Sequence, residues 1–177
     1  MQAMAYPGTI HHLNNHIPRT TGIENLQLLA ETLLDQDVTF CVIGDYGTCE
    51  IEDILHGRTN SPPTDLSLAD FIILTSGSSK GKLLAAKTGI PEYPDRSATV
   101  LISVESMADG CASDFLVRLT GPGIADEKYI QIHGLDHEEL CHLRELNNGY
   151  PLGVDSLFVD KNDCIMCIPR STKIQLR

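Results

Sequence analysis

Residues 21–45 read TGIENLQLLAETLLDQDVTFCVIGD, and this stretch decides the fold class. Ile23, Leu26, Leu29, Leu33 and Leu34 recur at helical spacing, which predicts an amphipathic helix. Thr21, with Glu24 three residues on, has the form of a capping box at its start. Val38 to Asp45 is a short apolar run ended by Gly44-Asp45, which predicts a buried strand. A helix followed directly by a buried strand is the unit of α/β layering.

Working outward, the same alternation continues. Residues 47–57 read as a short helix closed by Gly57, and Asn60 to Pro63 as a loop. Phe71 to Leu74 is a second strand. A helix is expected around Lys82 to Lys87, stopped at Gly89, followed by a Pro-rich connection, GIPEYPDRS. TVLISVES is a third strand and MADGCAS a small-residue loop. DFLVRLTGPG is a fourth strand, with Phe115, Val117 and Leu119 alternating, and KYIQIHG a shorter fifth. LDHEELCHLRELNNG is an amphipathic helix with Asp136 as its N-cap and Gly149 near its end. VDSLFVDKNDCIMCIP reads as a hairpin turning at Lys161-Asn162-Asp163. The first twenty residues read as loop and extended chain, with a turn at Pro7-Gly8. The late strands make the expected sheet mixed, with antiparallel parts. Without a repeat, a low-complexity segment or a linker, one domain is expected over residues 1–177.

Composition narrows the function. The chain has 177 residues and a formal net charge of −11. Such a chain is a poor free-standing binder of nucleic acid or anionic membranes, which demand clustered Lys and Arg. Aromatics are 5% and Trp is absent, so a stacking platform for bases is not expected. No run approaches the ~20 apolar residues of a membrane span. The start, MQAMAYPG, has neither the basic region nor the apolar run of a signal peptide. Cys41, Cys49, Cys111, Cys141, Cys164 and Cys167 are then expected to be reduced thiols in a cytoplasmic protein.

Several stretches imitate catalytic motifs and fail on spacing. TSGSSKGK follows a strand, where a phosphate loop would sit, but only three residues separate Gly77 from Gly81, and Leu83 follows Lys82. A solvent-exposed loop is the expected state. In HEELCH the two His are five apart, about 140° around a helix, so His137 and His142 cannot share a zinc. His133, His137 and Cys141 form an alternative metal set, weighed against a solvated helix face. Cys164 and Cys167 have redox spacing but fall in a strand, where they point to opposite faces. His11, His12 and His16 cluster in a polar stretch, read as surface His. No GxSxG turn appears, and no Lys lies in a context that marks a Schiff base.

Gly121 to Ile124 (GPGI), Tyr150 to Asp155 (YPLGVD) and Ile168 to Thr172 (IPRST) differ in kind. They combine Gly, Pro and charge at element ends, where glycine allows close backbone approach and proline fixes a turn. The predicted hairpin register puts residue 155 roughly opposite 169, so Asp155 and Arg170 can meet, as an ion pair or in a binding site.

Read in order, these stretches resemble the PhnH family, a component of the bacterial carbon–phosphorus lyase system that serves phosphonate use. The matching residues are Ala3-Met4 with Pro7-Gly8, Arg118 to Ile124, Pro151 to Asp155, and Pro169 to Thr172. ADFIIL and GIPEYPDRSATVLISV fit between them, so the resemblance spans nearly the whole chain. It implies a three-layer α/β domain with a mixed sheet, resembling the fold of pyridoxal-phosphate-dependent transferases without the cofactor. It implies partners, the subunits G, I and J of a core complex, with a homodimer in isolation. It also implies a reaction: a phosphonate displaces adenine from MgATP to give a ribose 1-phosphonate 5-triphosphate. A separate subunit then cleaves the C–P bond by radical chemistry. No stand-alone activity, catalytic residue or cofactor is implied for this chain. The substrate- or partner-binding candidates are Arg118, Gly121, Gly123, Asp155 and Arg170, since a guanidinium fork suits carboxylate or phosphate. Two departures are visible: the sequence starts at AMAYPG, where relatives have a preceding helical segment, so a shortened end or a mis-set start is expected, and Ser171 stands where Thr is usual. Two rival readings are a free-standing metal enzyme at His133, His137 and Cys141, and a pyridoxal-phosphate enzyme. The net charge of −11 would repel phosphorylated ligands unless local Arg and Lys offset it.

Overall fold

A computed structural model describes residues 2–13, 23–45, 47–110 and 117–176. In chain order the elements begin with a single helical turn, α1 (Gln2–Ala5), and a two-residue strand, β1 (His11–His12). Then come α2 (Glu24–Leu33), β2 (Phe40–Ile43), α3 (Thr48–Thr59) and β3 (Phe71–Leu74). A 3₁₀ turn at Lys82–Ala85 precedes β4 (Thr88–Ile90), β5 (Tyr93–Ser97), β6 (Thr99–Val104) and β7 (Ser106–Asp109). After β8 (Val117–Thr120) and β9 (Lys128–His133) come α4 (His137–Leu146) and a 3₁₀ turn at Asn147–Gly149. The chain closes with β10 (Asp155–Asp160), β11 (Cys164–Ile168) and β12 (Lys173–Leu176).

The main sheet has the order β1-β11-β10-β6-β3-β2. Its β10, β6, β3 and β2 run parallel, and β11 and β1 are antiparallel to their neighbours. A second sheet, β12-β8-β9-β7, is antiparallel throughout, and β4 and β5 form a separate hairpin. The central strands read as continuous apolar runs because both their faces are covered. Phe40, Val42, Ile73, Leu101 and Leu157 pack on Leu26 and Ala30 of α2 and on Ile51 and Leu55 of α3. Ile72, Leu74, Val100, Ile102 and Phe158 point the other way, onto Leu140 and Leu143 of α4 and onto Leu119, Ile130 and Ile174 of the second sheet. The period of two along each strand thus produces two cores on one sheet.

Local expectations hold where the apolar pattern is long and fail where it is short. Asp136 caps α4 by accepting from the Glu138 N–H at 3.2 Å. The β10–β11 hairpin pairs Ser156 with Ile168, the register expected from its turn. The helix expected at Lys82 to Lys87 is instead one 3₁₀ turn, which starts after left-handed Gly81 and ends where Ala86 turns extended on the way into β4. The Pro-rich connection is the β4–β5 hairpin, where Pro94 needs no partner for a missing N–H because the hairpin has two open edges. The expected loop at MADG contains β7, and the short strands β1 and β12 have no counterpart among the expected ones. Gly57 does not close α3, which runs to Thr59 and ends on left-handed Asn60. Helix α2 begins with Ile23 at its cap position; Thr21, His16, Cys111 and Phe115 lie outside the described residues. No helix among the described residues is long and apolar enough to cross a membrane.

Candidate functional site

The hairpin of β10 and β11 brings Asp155 to Arg170. Arg170 Nη2 lies 2.5 Å from Asp155 Oδ2, and its Nε donates to the same oxygen at 3.2 Å. The Arg170 backbone N–H donates to Asp155 Oδ1 at 2.8 Å, and Nη1 to the Pro94 carbonyl at 2.5 Å. Both side chains are more than four-fifths buried. The guanidinium fork is therefore filled from within, and it ties the PRST turn to β10 and to the β4–β5 hairpin.

The other candidates extend this seam or lie beside it. Gly121, at φ 142°, sits so close to the next turn that a Cβ would stand 3.0 Å from the Ser171 carbonyl. Gly123 backs onto the N-terminal segment, where a Cβ would meet the Ala5 carbonyl at 2.4 Å. That segment is anchored in turn by the Gly8 N–H, which donates to the Cys167 carbonyl at 3.0 Å. The four quoted motifs thus meet: AMAYPG on GPG, GPG on PRST, PRST on PLGVD. Arg118 is set apart on β8, exposed and ion-paired with Glu127.

A cleft of about 280 Å³ opens along the seam, between the end of α4 and the start of β12. Arg144, Asn147 and Tyr150 line one side, and Ser171, Thr172 and Lys173 the other. Asn147 Oδ1 accepts from the Val154 N–H at 2.7 Å. This contact needs a glycine beside it, because a Cβ on Gly153 (φ 137°) would lie 2.3 Å from that oxygen. The Asn147 Nδ2 and the Thr172 hydroxyl are buried without a hydrogen-bond partner. Each such group costs about 1–3 kcal/mol. Arg144 and Lys173 are exposed, and neither has an acidic partner among the described residues. Among the described residues, an acidic chain thus keeps two cations without acidic partners and two orphan polar groups around one cleft. Sequence reasoning reached its Arg170 wall but missed Arg144, Asn147 and Lys173; the first two fall at the end of a helix whose face reads as solvated.

Residues 1–175 match the family of bacterial phosphonate metabolism proteins called PhnH. The chain belongs to the PhnH family. It is 29% identical over 187 aligned positions to the putative C-P lyase subunit protein HtxG of Stutzerimonas stutzeri, covering 100% of this chain and 83% of that one. It is 34% identical over 88 residues to the alpha-D-ribose 1-methylphosphonate 5-triphosphate synthase subunit PhnH of Rhizobium meliloti (strain 1021). That alignment covers 49% of this chain and 41% of the relative.

The remaining motif-like stretches have structural roles in this PhnH-family chain. The TSGSSK loop is not solvent-exposed as expected. Ser79 is buried, donating through its hydroxyl to Glu139 Oε1 at 2.7 Å and through its N–H to Oε2 at 2.8 Å. The Gly77 carbonyl accepts from the Asp136 N–H, so the loop is docked on the start of α4. His137 and Cys141 approach to 4.0 Å, but no three His, Cys, Asp or Glu among the described residues are placed to hold a metal. The set of His133, His137 and Cys141 is therefore not assembled. Cys164 and Cys167 pack into opposite cores, as their spacing on a strand predicts. Burial pushes the Cys167 thiol up to about 12, and burial followed by the charge of Asp160 raises Cys164. A thiolate is the reactive form, so this pair is poorly suited to redox chemistry. His11 and His12 form β1, where His12 Nδ1 lies 3.4 Å from the Cys164 sulfur.

Proposed function

We propose that this PhnH-family chain is a supporting subunit of the C–P lyase machinery, structural or co-catalytic in forming a ribose 1-alkylphosphonate 5-triphosphate from MgATP and an alkylphosphonate. Its partners are subunits G, I and J, and it pairs with itself when they are absent. It binds no cofactor of its own and has no stand-alone activity. The observation that carries this reading is the family match across residues 1–175, joined to a C–P lyase subunit relative aligned along the full chain. The seam supports a shaping role. Its arginine fork and its close-packed glycines are occupied by neighbouring segments, so they hold loops in place for another surface or ligand. A likeness to the fold of pyridoxal-phosphate-dependent transferases belongs to the same proposal, supported by a mixed sheet with α2 and α3 on one face and α4 on the other.

Co-expression with tagged subunits G, I and J tests it. The chain is expected to elute with them as one complex, and its deletion to abolish growth on methylphosphonate as sole phosphorus source. A complex that assembles and supports growth without it would overturn the reading.

A further inference from the structure

We propose that the cleft between the end of α4 and the start of β12 binds a phosphorus oxyanion, with Arg144 and Lys173 as its charged contacts and Thr172 and Asn147 as its neutral ones. Four observations converge on it. The first is charge: in a chain of net charge −11, this cleft has Arg144 and Lys173 without acidic partners among the described residues, and no Asp or Glu lines it. The carboxylate of the seam, Asp155, is already held by Arg170. The second is unspent hydrogen bonding. Thr172 is 3% exposed, and its hydroxyl and the Asn147 Nδ2 have no partner. Buried polar groups are almost always satisfied, and an orphan on each side of one cleft marks a place where a ligand completes the set. Both atoms are shut from solvent, so binding draws them out by small side-chain movements.

The third observation is support from behind. The Val154 N–H holds the Asn147 amide by its oxygen and leaves the Nδ2 unspent. Gly121 backs the Ser171–Thr172 backbone, and Asp155 grips the backbone N–H of Arg170, just before it. The backbone on both sides of the cleft is thus held in place, and only the Thr172 hydroxyl and the Asn147 amide have to turn toward a ligand. The fourth is size. About 280 Å³ lies just below the range for small-molecule pockets, which suits a small anion or the charged end of a larger molecule. The carbonyl end of α4 carries partial negative charge and opposes an anion, so Arg144 in its last turn must outweigh it.

The site stands on the isolated chain and does not rest on the assembly reading. Titration calorimetry at low ionic strength with inorganic phosphate, methylphosphonate and tripolyphosphate tests it. Saturable binding of at least one at a single site is expected. The double variant Arg144→Ala/Lys173→Ala should weaken it by roughly tenfold or more. Lys161→Ala, which removes an exposed charge at the far end of β10, should leave it unchanged. Tightest binding of tripolyphosphate assigns the cleft to a triphosphate end, and tightest binding of methylphosphonate to a phosphonate group. Absence of saturable binding for all three, or equal affinity in the double variant, overturns the site. A chain that binds but does not co-elute with subunits G, I and J overturns only the assembly reading.

Discussion

Arg170 looks like a ligand-binding residue in the sequence, yet in the fold it spends its charge on Asp155 and the Pro94 carbonyl. The type of a residue states what it can bind; its neighbours decide what it does bind. Asp70 is a second case. Its carboxylate accepts from the Thr39 N–H at 2.8 Å and the Thr39 hydroxyl at 2.7 Å, and from Lys87 at 2.5 Å. Partial burial works against its charge, but these donors win and hold its pKa below the ordinary carboxylate value. Because the folded-state value is depressed, the contribution to stability is complete above the ordinary value and is lost as pH falls through the depressed one. Asp70→Asn is expected to lower the urea midpoint at neutral pH, with the gap from wild type closing in acid. A gap independent of pH would show that the charge of Asp70 is not what matters.

Elements with a long apolar pattern are legible in the sequence: α2, α4, the four parallel strands and the β10–β11 hairpin. Those decided by a few special residues are not. The segment between Gly81 and Gly89 has helical composition, but Ala86 turns extended and the chain enters β4 after a single turn. Two-residue β1 and edge strand β12 have too little pattern of their own and exist because β11 and β8 offer them hydrogen bonds. Gly57 and Gly153 look alike in the sequence and separate in the structure. Gly57 sits inside α3 with open space around its Cβ position, so Gly57→Ala should stabilise by about 0.5–1 kcal/mol through helix propensity. Gly153→Ala should cost about 1–3 kcal/mol, since it needs a rare backbone conformation and drives into Asn147. Urea unfolding of the two variants beside wild type checks both signs.

At the scale of the molecule, one mixed sheet divides two cores, and no disulfide joins them among the described residues. Cys41, Cys49, Cys141, Cys164 and Cys167 are free thiols, and the last two are kept apart by facing opposite cores. Thermal unfolding should therefore coincide with and without dithiothreitol; a lower midpoint on reduction would reveal a stabilising disulfide. The sequence by itself determined the α/β class, the register of the last hairpin, the meeting of Asp155 with Arg170, and the family. Each of these rests on local periodicity or on motifs that can be read along the chain. Only the tertiary structure decided that the four motifs share one seam, that Arg170 is spent within it, and that a cationic cleft opens beside it. Arg144, Asn147, Thr172 and Lys173 come from α4, the turn after it, and the approach to β12. What joins them is the packing of α4 and the second sheet on one face of the main sheet, which no local pattern records.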